Sequence, residues 1–313
     1  MARMKPAWTV ALWAAVAFAA CKSGPSGGHP SDAAVQAASI ASSAPSSSAS
    51  ARAPRPTQPA PKPEEVTIAT PDGVKLSASF YAAGDGHAPA VVLAHRMAGS
   101  RTEWQPLLER LFPPKHPMNV LALDLRGHGN SMQGKGKGAS KSWAQFSTED
   151  FAAMSRDIQT AVQWLDKRKG GPASSLVLVG SDMGATAETV ASEGLGPRLR
   201  GIALISPGAA LRGVDLYRPF GHVLGLPNLI VTAVDDTTSA EPAQALGAMS
   251  KTSRLVRFAG AMHGAEFLGR ENPLVWDEIA DWVEARVAEQ PPPTAASGSA
   301  KAPQRTAVPA TSR

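Results

Sequence analysis

Polar residues able to do chemistry recur where runs of large aliphatic residues stop. His95 and Arg96 follow "PAVVLA", Asp124 to Ser131 ("DLRGHGNS") follow "MNVLAL", and Asp182 follows "LVLVGS". Asp235 and Asp236 follow "NLIVTAV", and His263 stands in "AMHG". A carboxylate is ionised at neutral pH without a base to deprotonate it, and it can attack carbon to give an ester that water then hydrolyses. A histidine within reach can activate that water, and a second carboxylate can hold its tautomer and stabilise the imidazolium. Gly180 and Gly184 bracket Asp182, the pattern of a sharp strand-to-helix turn whose neighbours would clash with a side chain. Shifting the frame to Ser181 puts Val179 and Met183 in the bracketing places, so Asp182 is the residue at the centre of the turn.

The elements that must position these residues alternate. "EEVTIAT", the turn "PDG" and "VKLSASFYAA" read as an opening antiparallel hairpin. Strands over Pro89–His95, Met118–Arg126, "SSLVLVG", Leu199–Gly208, Pro227–Asp236 and Ser253–Gly264 are separated by helical patterns. The helices are "TEWQPLLERLF", a long amphipathic one from about Thr148 to Arg168, the segment after Asp182, "AEPAQALGAMS" and "PLVWDEIADWVEARVAE". Short Val/Ile/Leu-rich runs between helices indicate an α/β class with a doubly wound, mostly parallel sheet covered on both faces. Ligands bind at the carboxyl ends of the strands of such sheets, which is where the polar residues above lie.

In order and spacing, "VVLAHRMAGSRTEW", "VLALDLRGHGNS", "LVLVGSDMGA", "IALISPG", "NLIVTAVDD" and "AMHG" resemble the α/β-hydrolase fold over nearly the whole folded region. The resemblance implies the chain order nucleophile, acid, histidine. It assigns Asp182 as nucleophile, His263 as histidine and Asp236 as acid, with Asp235 in reserve. It also implies an oxyanion hole at the backbone N–H groups of Met97 and Met183. Arg96 replaces a glycine common in the family and is open either to an anionic substrate or to solvent, and Tyr217 is a second candidate for substrate contact. His95 and His128 read as packing and turn residues. Haloalkane and haloacid dehalogenases and epoxide hydrolases carry Asp at the elbow, but the segment from Gly208 to Pro227 is too short for their cap. The chain is therefore similar to lidless bacterial members of the dienelactone-hydrolase and serine-esterase kind, whose elbow holds serine. Two functions follow: a hydrolase with an Asp182–His263–Asp236 triad acting on a small-molecule ester, haloacid or epoxide, or an inactive binding protein that has lost the nucleophilic serine.

Composition frames the rest. The start "MARMKPAWTVALWAAVAFAACKSG" has basic residues, a short apolar run and small residues before Cys21, the only cysteine. It reads as a signal over residues 1–20 and resembles the lipobox of bacterial lipoproteins, with Phe18 where Leu is preferred. Lipidation of Cys21 implies a membrane anchor at the bacterial cell envelope, on the outer membrane where there are two, since Lys22 is not the aspartate of inner-membrane retention. An ordinary secretory signal cut after Ala20 is the alternative. Residues 21–63 read as a Ser/Ala/Pro tether, 64–289 as the folded domain and 290–313 as a tail of similar composition. The net charge of +5 comes from scattered lysines and arginines without interleaved aromatics, which argues against nucleic-acid binding. The remaining histidines lack metal-ligand spacing, so no cofactor is expected. The sequence specifies no oligomeric state.

Overall fold

The computed structural model describes residues 55–134, 141–168, 170–265 and 273–289. The expected signal, Cys21, the tether as far as residue 54 and the tail lie outside them. Among the described residues eleven strands form in chain order: β1 (Glu64–Ala69), β2 (Val74–Tyr81), β3 (Ala90–Ala94), β4 (Asn119–Leu123), β5 (Gln133–Gly134), β6 (Leu176–Ser181), β7 (Leu199–Ile205), β8 (Ala210–Leu211), β9 (Val214–Asp215), β10 (Asn228–Ala233) and β11 (Ser253–Phe258). The main sheet runs β1-β2-β4-β3-β6-β7-β10-β11, with β5 paired to β2. β1 and β2 form the expected antiparallel hairpin, and β2 lies antiparallel to β4. All pairings from β4 through β11 along the order are parallel. This is the doubly wound, mostly parallel α/β-hydrolase architecture.

Strands β3, β4 and β6 are buried along their full length, and the two-residue period of a strand divides their side chains between two cores. Val92, Leu121, Leu178, Leu204 and Ile230 face one core with the helices Met154–Asp166 and Met183–Ser192. Val91, Val120, Val177, Ile205 and Val231 face the other with the helices Gln105–Leu111 and Leu274–Ala288. Large aliphatics at every strand position therefore follow from helices on both faces.

The local structure departs from the sequence reading in two places and fills in a third. The pattern from Thr148 to Arg168 is realised as two helices, Thr148–Ala152 and Met154–Asp166, meeting at Ala153. The first is started by a capping box in which Ser147 and Asp150 satisfy each other's backbone N–H groups. Between Gly208 and Pro227 no cap is present, but the segment is ordered: β8 and β9 pair as a hairpin, followed by a short helix at Tyr217–Phe220. Residues 55–63, placed in the tether by composition, lie against the domain. The Arg55 guanidinium meets Glu284 at 2.8 Å and Asp281 at 3.4 Å, and its backbone N–H donates to Asp277. The Gln58 N–H donates to the Glu109 carbonyl. A polar, proline-rich segment can dock through charge pairs made with residues far along the chain, which composition does not register.

Candidate active site

The turn after β6 holds Asp182 at φ 48, ψ −105, a conformation that costs an L-residue on the order of 1–3 kcal/mol and persists only where the surroundings enforce it. They do so here. The Asp182 N–H donates to the Ile205 carbonyl at 2.8 Å and the Gly184 N–H to the His95 carbonyl at 3.1 Å. A Cβ on Gly184 would lie 2.0 Å from the Ala94 carbonyl oxygen, and one on Gly180 would lie 2.5 Å from the Ala185 nitrogen. The bracketing glycines thus let the elbow helix approach β3 and close on β6. The Asp182 carboxylate stands at the N-terminus of that helix, where the aligned peptide dipoles favour a negative charge.

His263 lies between two carboxylates. Its Nδ1 is 2.8 Å from Asp236 Oδ2 and its Nε2 is 3.5 Å from Asp182 Oδ1. Asp182, with Asp236, raises the imidazole's pKa to about 9 against the desolvation of its partly buried ring. At neutral pH the resting histidine is therefore an imidazolium, with an N–H directed at each acid. Of the two adjacent acids, Asp236 is the one that meets His263: it is 3% exposed, whereas Asp235 points to solvent. Asp236 also accepts the N–H groups of Thr238 and Ser239 at 3.0 and 3.2 Å and the Ser239 hydroxyl. Burial would raise its pKa, but the bonds from His263 and Ser239 outweigh this and hold it below the ordinary carboxylate value.

The other oxygen of the central acid is held too. The Met97 N–H donates to Asp182 Oδ2 at 3.1 Å, so a backbone group expected in the oxyanion hole grips the carboxylate itself. Met183 is the first residue of the elbow helix, with its side chain in the core. Asp182 and His263 open into a cavity of about 670 Å³ whose lining includes Arg96, Thr186, Arg212 and Thr238. Arg96 reaches it folded against its own loop: the guanidinium donates to the Met97 carbonyl at 2.9 Å and lies 3.8 Å from Glu103, which also accepts the Arg96 N–H. Tyr217 does not line the cavity; it is half-buried and packs against the hydrophobic core.

The remaining polar strand ends are structural. His95 is fully buried, accepts the Leu125 N–H at Nε2 and so carries its proton on Nδ1, 2.7 Å from the Arg96 carbonyl. Burial, with the neighbouring His128, lowers its pKa to about 3, leaving it neutral. His128 lies on Trp143, and its Nδ1 is 2.9 Å from the Arg126 carbonyl. In "DLRGHGNS", Asp124 accepts the N–H groups of Arg101 and Asn130 and pairs with the Arg101 guanidinium. Arg126 is clamped by Asp157 and Asp72.

Two serines that the sequence reading did not assign to the site hold the histidine loop. Ser181 is fully buried, and its Oγ accepts the Ala265 N–H at 2.8 Å. Ser206, at φ 48, accepts the Gly264 N–H at 3.0 Å. The backbone just after His263 is thereby fastened to the ends of β6 and β7. The hydroxyl beside the elbow centre points behind the site, which rules Ser181 out as a nucleophile in this arrangement. The one sequence signal for Ser206 is its place in "SPG" at the end of a strand. Among the described residues, no group of three or more His, Cys, Asp and Glu side chains is arranged to hold a metal ion.

Comparison with known proteins agrees with this architecture. No curated protein sequence matches the chain. Among solved structures, it is similar to Est1E from Butyrivibrio proteoclasticus with ferulic acid bound, at 17% identity and a TM-score of 0.57, covering 72% of this chain and 100% of that one. An esterase of Pyrococcus furiosus is similar at 18% identity and a TM-score of 0.57, covering 74% and 92%. A putative aryl esterase from Burkholderia cenocepacia gives 17% identity and a TM-score of 0.55, covering 72% and 100%. At these identities the likeness is one of fold. A family model described as serine aminopeptidase, S33 matches residues 86–245, just over half of the chain, and the chain belongs to that family of α/β-hydrolases.

Proposed function

We propose that this α/β-hydrolase acts on a small molecule through Asp182 as a covalent nucleophile, with His263 and Asp236 completing the triad. The observation that carries the reading is the orientation of the Asp182 carboxylate. Oδ2 is gripped by the Met97 N–H while Oδ1 faces His263, and the residue lines the cavity. In the first step Oδ1 attacks a saturated carbon and the leaving group departs with the bonding electrons, leaving an ester on Asp182. Attack on an ester carbonyl would instead give an anhydride, which is harder to form, so a displacement at carbon suits this nucleophile better.

Forming the ester removes the negative charge that does most to hold the His263 proton. The imidazolium becomes more acidic and releases the Nε2 proton to an alkoxide leaving group, or to solvent where the leaving group is a halide. Neutral His263 then takes a proton from water as it adds to Cγ of Asp182. Negative charge develops on Oδ2, where the Met97 N–H already donates. Collapse expels the product oxygen, which takes the proton from His263, and the new carboxyl returns a proton to the ring. Asp236 stabilises the imidazolium throughout.

The test compares the native protein with Asp182→Ala and Asp182→Ser on esters, epoxides and haloacids. Activity in the native protein that is lost in Asp182→Ala, with oxygen from labelled water entering the Asp182 carboxylate during turnover, is the expected result. A silent native protein alongside an esterase-active Asp182→Ser variant would overturn the reading. The same proposal places the enzyme at the bacterial cell envelope by a lipid on Cys21. The mass of the mature N-terminus checks this, and an unmodified N-terminus would refute it.

A further inference from the structure

Arg212 stands at the tip of the β8–β9 hairpin with φ 47, beside Gly213 with φ 88. A two-residue hairpin turn with both central residues in the left-handed region is ordinarily filled by Asn, Asp or Gly. Arginine is a poor choice for the backbone there, yet the tip is held in place. Thr148 Oγ1 donates to the Arg212 carbonyl at 3.0 Å, and a Cβ on Gly213 would lie 3.1 Å from the Thr148 side chain. The turn presents Arg212 to the cavity that Asp182 and His263 line.

The other charged groups of that cavity are matched within the protein. His263 lies between Asp182 and Asp236, and Arg96 is engaged by Glu103 and the Met97 carbonyl. Among the described residues, no hydrogen bond or ion pair holds the Arg212 guanidinium, whose residue is joined to the fold only through its backbone carbonyl. Asp215, the acid of the same hairpin, accepts the N–H groups of Tyr217 and Arg218. Glu149 lines a neighbouring hollow together with Arg212 and, among the described residues, forms no ion pair with it. A guanidinium is a rigid fork of donors that fits a carboxylate in bidentate fashion. A carboxylate nucleophile repels an anionic substrate unless a cation offsets the charge, and Arg212 is positioned to do so.

We propose that the substrate carries a carboxylate and that Arg212 binds it, setting the electrophilic carbon before Asp182. The inference rests on the Asp182 reading and narrows it to acids with a leaving group on the neighbouring carbon, such as 2-haloalkanoates or epoxy acids. For a 2-haloalkanoate, the bond from Asp182 Oδ1 to C2 forms as the C2–halogen bond breaks and halide leaves. Addition of water to the Asp182 ester then releases a 2-hydroxy acid and one proton.

Two pairs of substrates differing only in charge test this on the native protein, Arg212→Gln and Arg212→Lys: 2-chloropropanoate against 2-chloropropanamide, and glycidate against glycidamide. The native enzyme is expected to prefer the charged member of each pair in kcat/KM. Arg212→Gln should cut the charged-to-neutral ratio by about tenfold or more, through KM, the size of a lost charged hydrogen bond. Arg212→Lys should restore part of it. In parallel, propanoate titrated into each protein, followed through the His263 ring signals by NMR, should bind the native form and fail to bind Arg212→Gln at the same concentration. A ratio unchanged in Arg212→Gln, or equal binding of propanoate by both, overturns the proposal. The nucleophile reading is decided separately by the Asp182→Ala comparison, and if the native protein turns over neither pair, the propanoate titration decides the role of Arg212.

Discussion

Replacing Asp182 with Asn removes one of the two charges on His263 while keeping its shape, and the consequence can be worked out. The pKa of His263 is raised from 6.5 to about 9, and a shift of that size corresponds to roughly 3 kcal/mol. A carboxylate 3.5 Å away contributes about 5 kcal/mol at an effective dielectric near 20, less the screening admitted by a ring that is about a third exposed. Desolvation of the ring subtracts further. Loss of Asp182 should therefore lower the His263 pKa by at least about one unit, with Asp236 holding it above its unperturbed value. Titration of the ring nitrogens by NMR reads this directly. The same change alters the pH dependence of stability. A histidine whose pKa is raised on folding contributes stability that is fully present below about 6.5 and is lost as the pH climbs through about 9. Denaturant unfolding of the native protein should thus show a decline across that window, and Asp182→Asn a smaller and earlier one. A His263 pKa that stays near 9 in Asp182→Asn would refute the reasoning, because Asp236 alone would then hold the proton and ester formation could not release it.

Ser181→Ala and Ser206→Ala each remove the acceptor of a buried N–H beside His263. Each should cost about 1–3 kcal/mol in denaturant unfolding and also lower the His263 pKa, since a loosened loop weakens both carboxylate contacts; stability loss with an unchanged pKa would reduce the serines to a structural role. Glu188 is fully buried on the elbow helix with neither carboxyl oxygen hydrogen-bonded, and burial pushes its carboxyl well above the ordinary range. The folded chain keeps this proton where the unfolded chain has lost it, so stability falls by up to about 1.4 kcal/mol per pH unit as the pH climbs from the unfolded value towards the folded one. Glu188→Gln should be free of this fall, and its advantage over the native protein should grow from pH 4 to pH 7; unfolding curves that run parallel over that range would contradict the assignment.

The sequence by itself determined the sheet, the elbow and the identity of the residue at its centre. Aliphatic runs such as "LVLVG" read as strands because burial on two faces demands an apolar side chain at every position. Gly180 and Gly184 mark the elbow because a Cβ at either would overlap backbone atoms, a constraint written into two neighbouring turns of chain. Asp182 and His263 follow from their places after β6 and β11. The choice of Asp236 over Asp235 could be carried only by position in a family pattern, because two adjacent acids have the same chemistry; which of them meets His263 was set by the fold, which turns Asp236 under Ser239 and Asp235 to solvent. The serines that hold the histidine loop, the pairing of Arg96 with Glu103, the docking of Arg55 on the last helix and the unmatched Arg212 at the hairpin tip were decided by the tertiary structure. Hydrophobic patterning and glycine sterics act over a few residues and leave a local trace. A hydrogen bond or ion pair joins groups as far apart as Ser181 and Ala265 or Arg55 and Glu284, and which donor meets which acceptor is set only once the chain has packed.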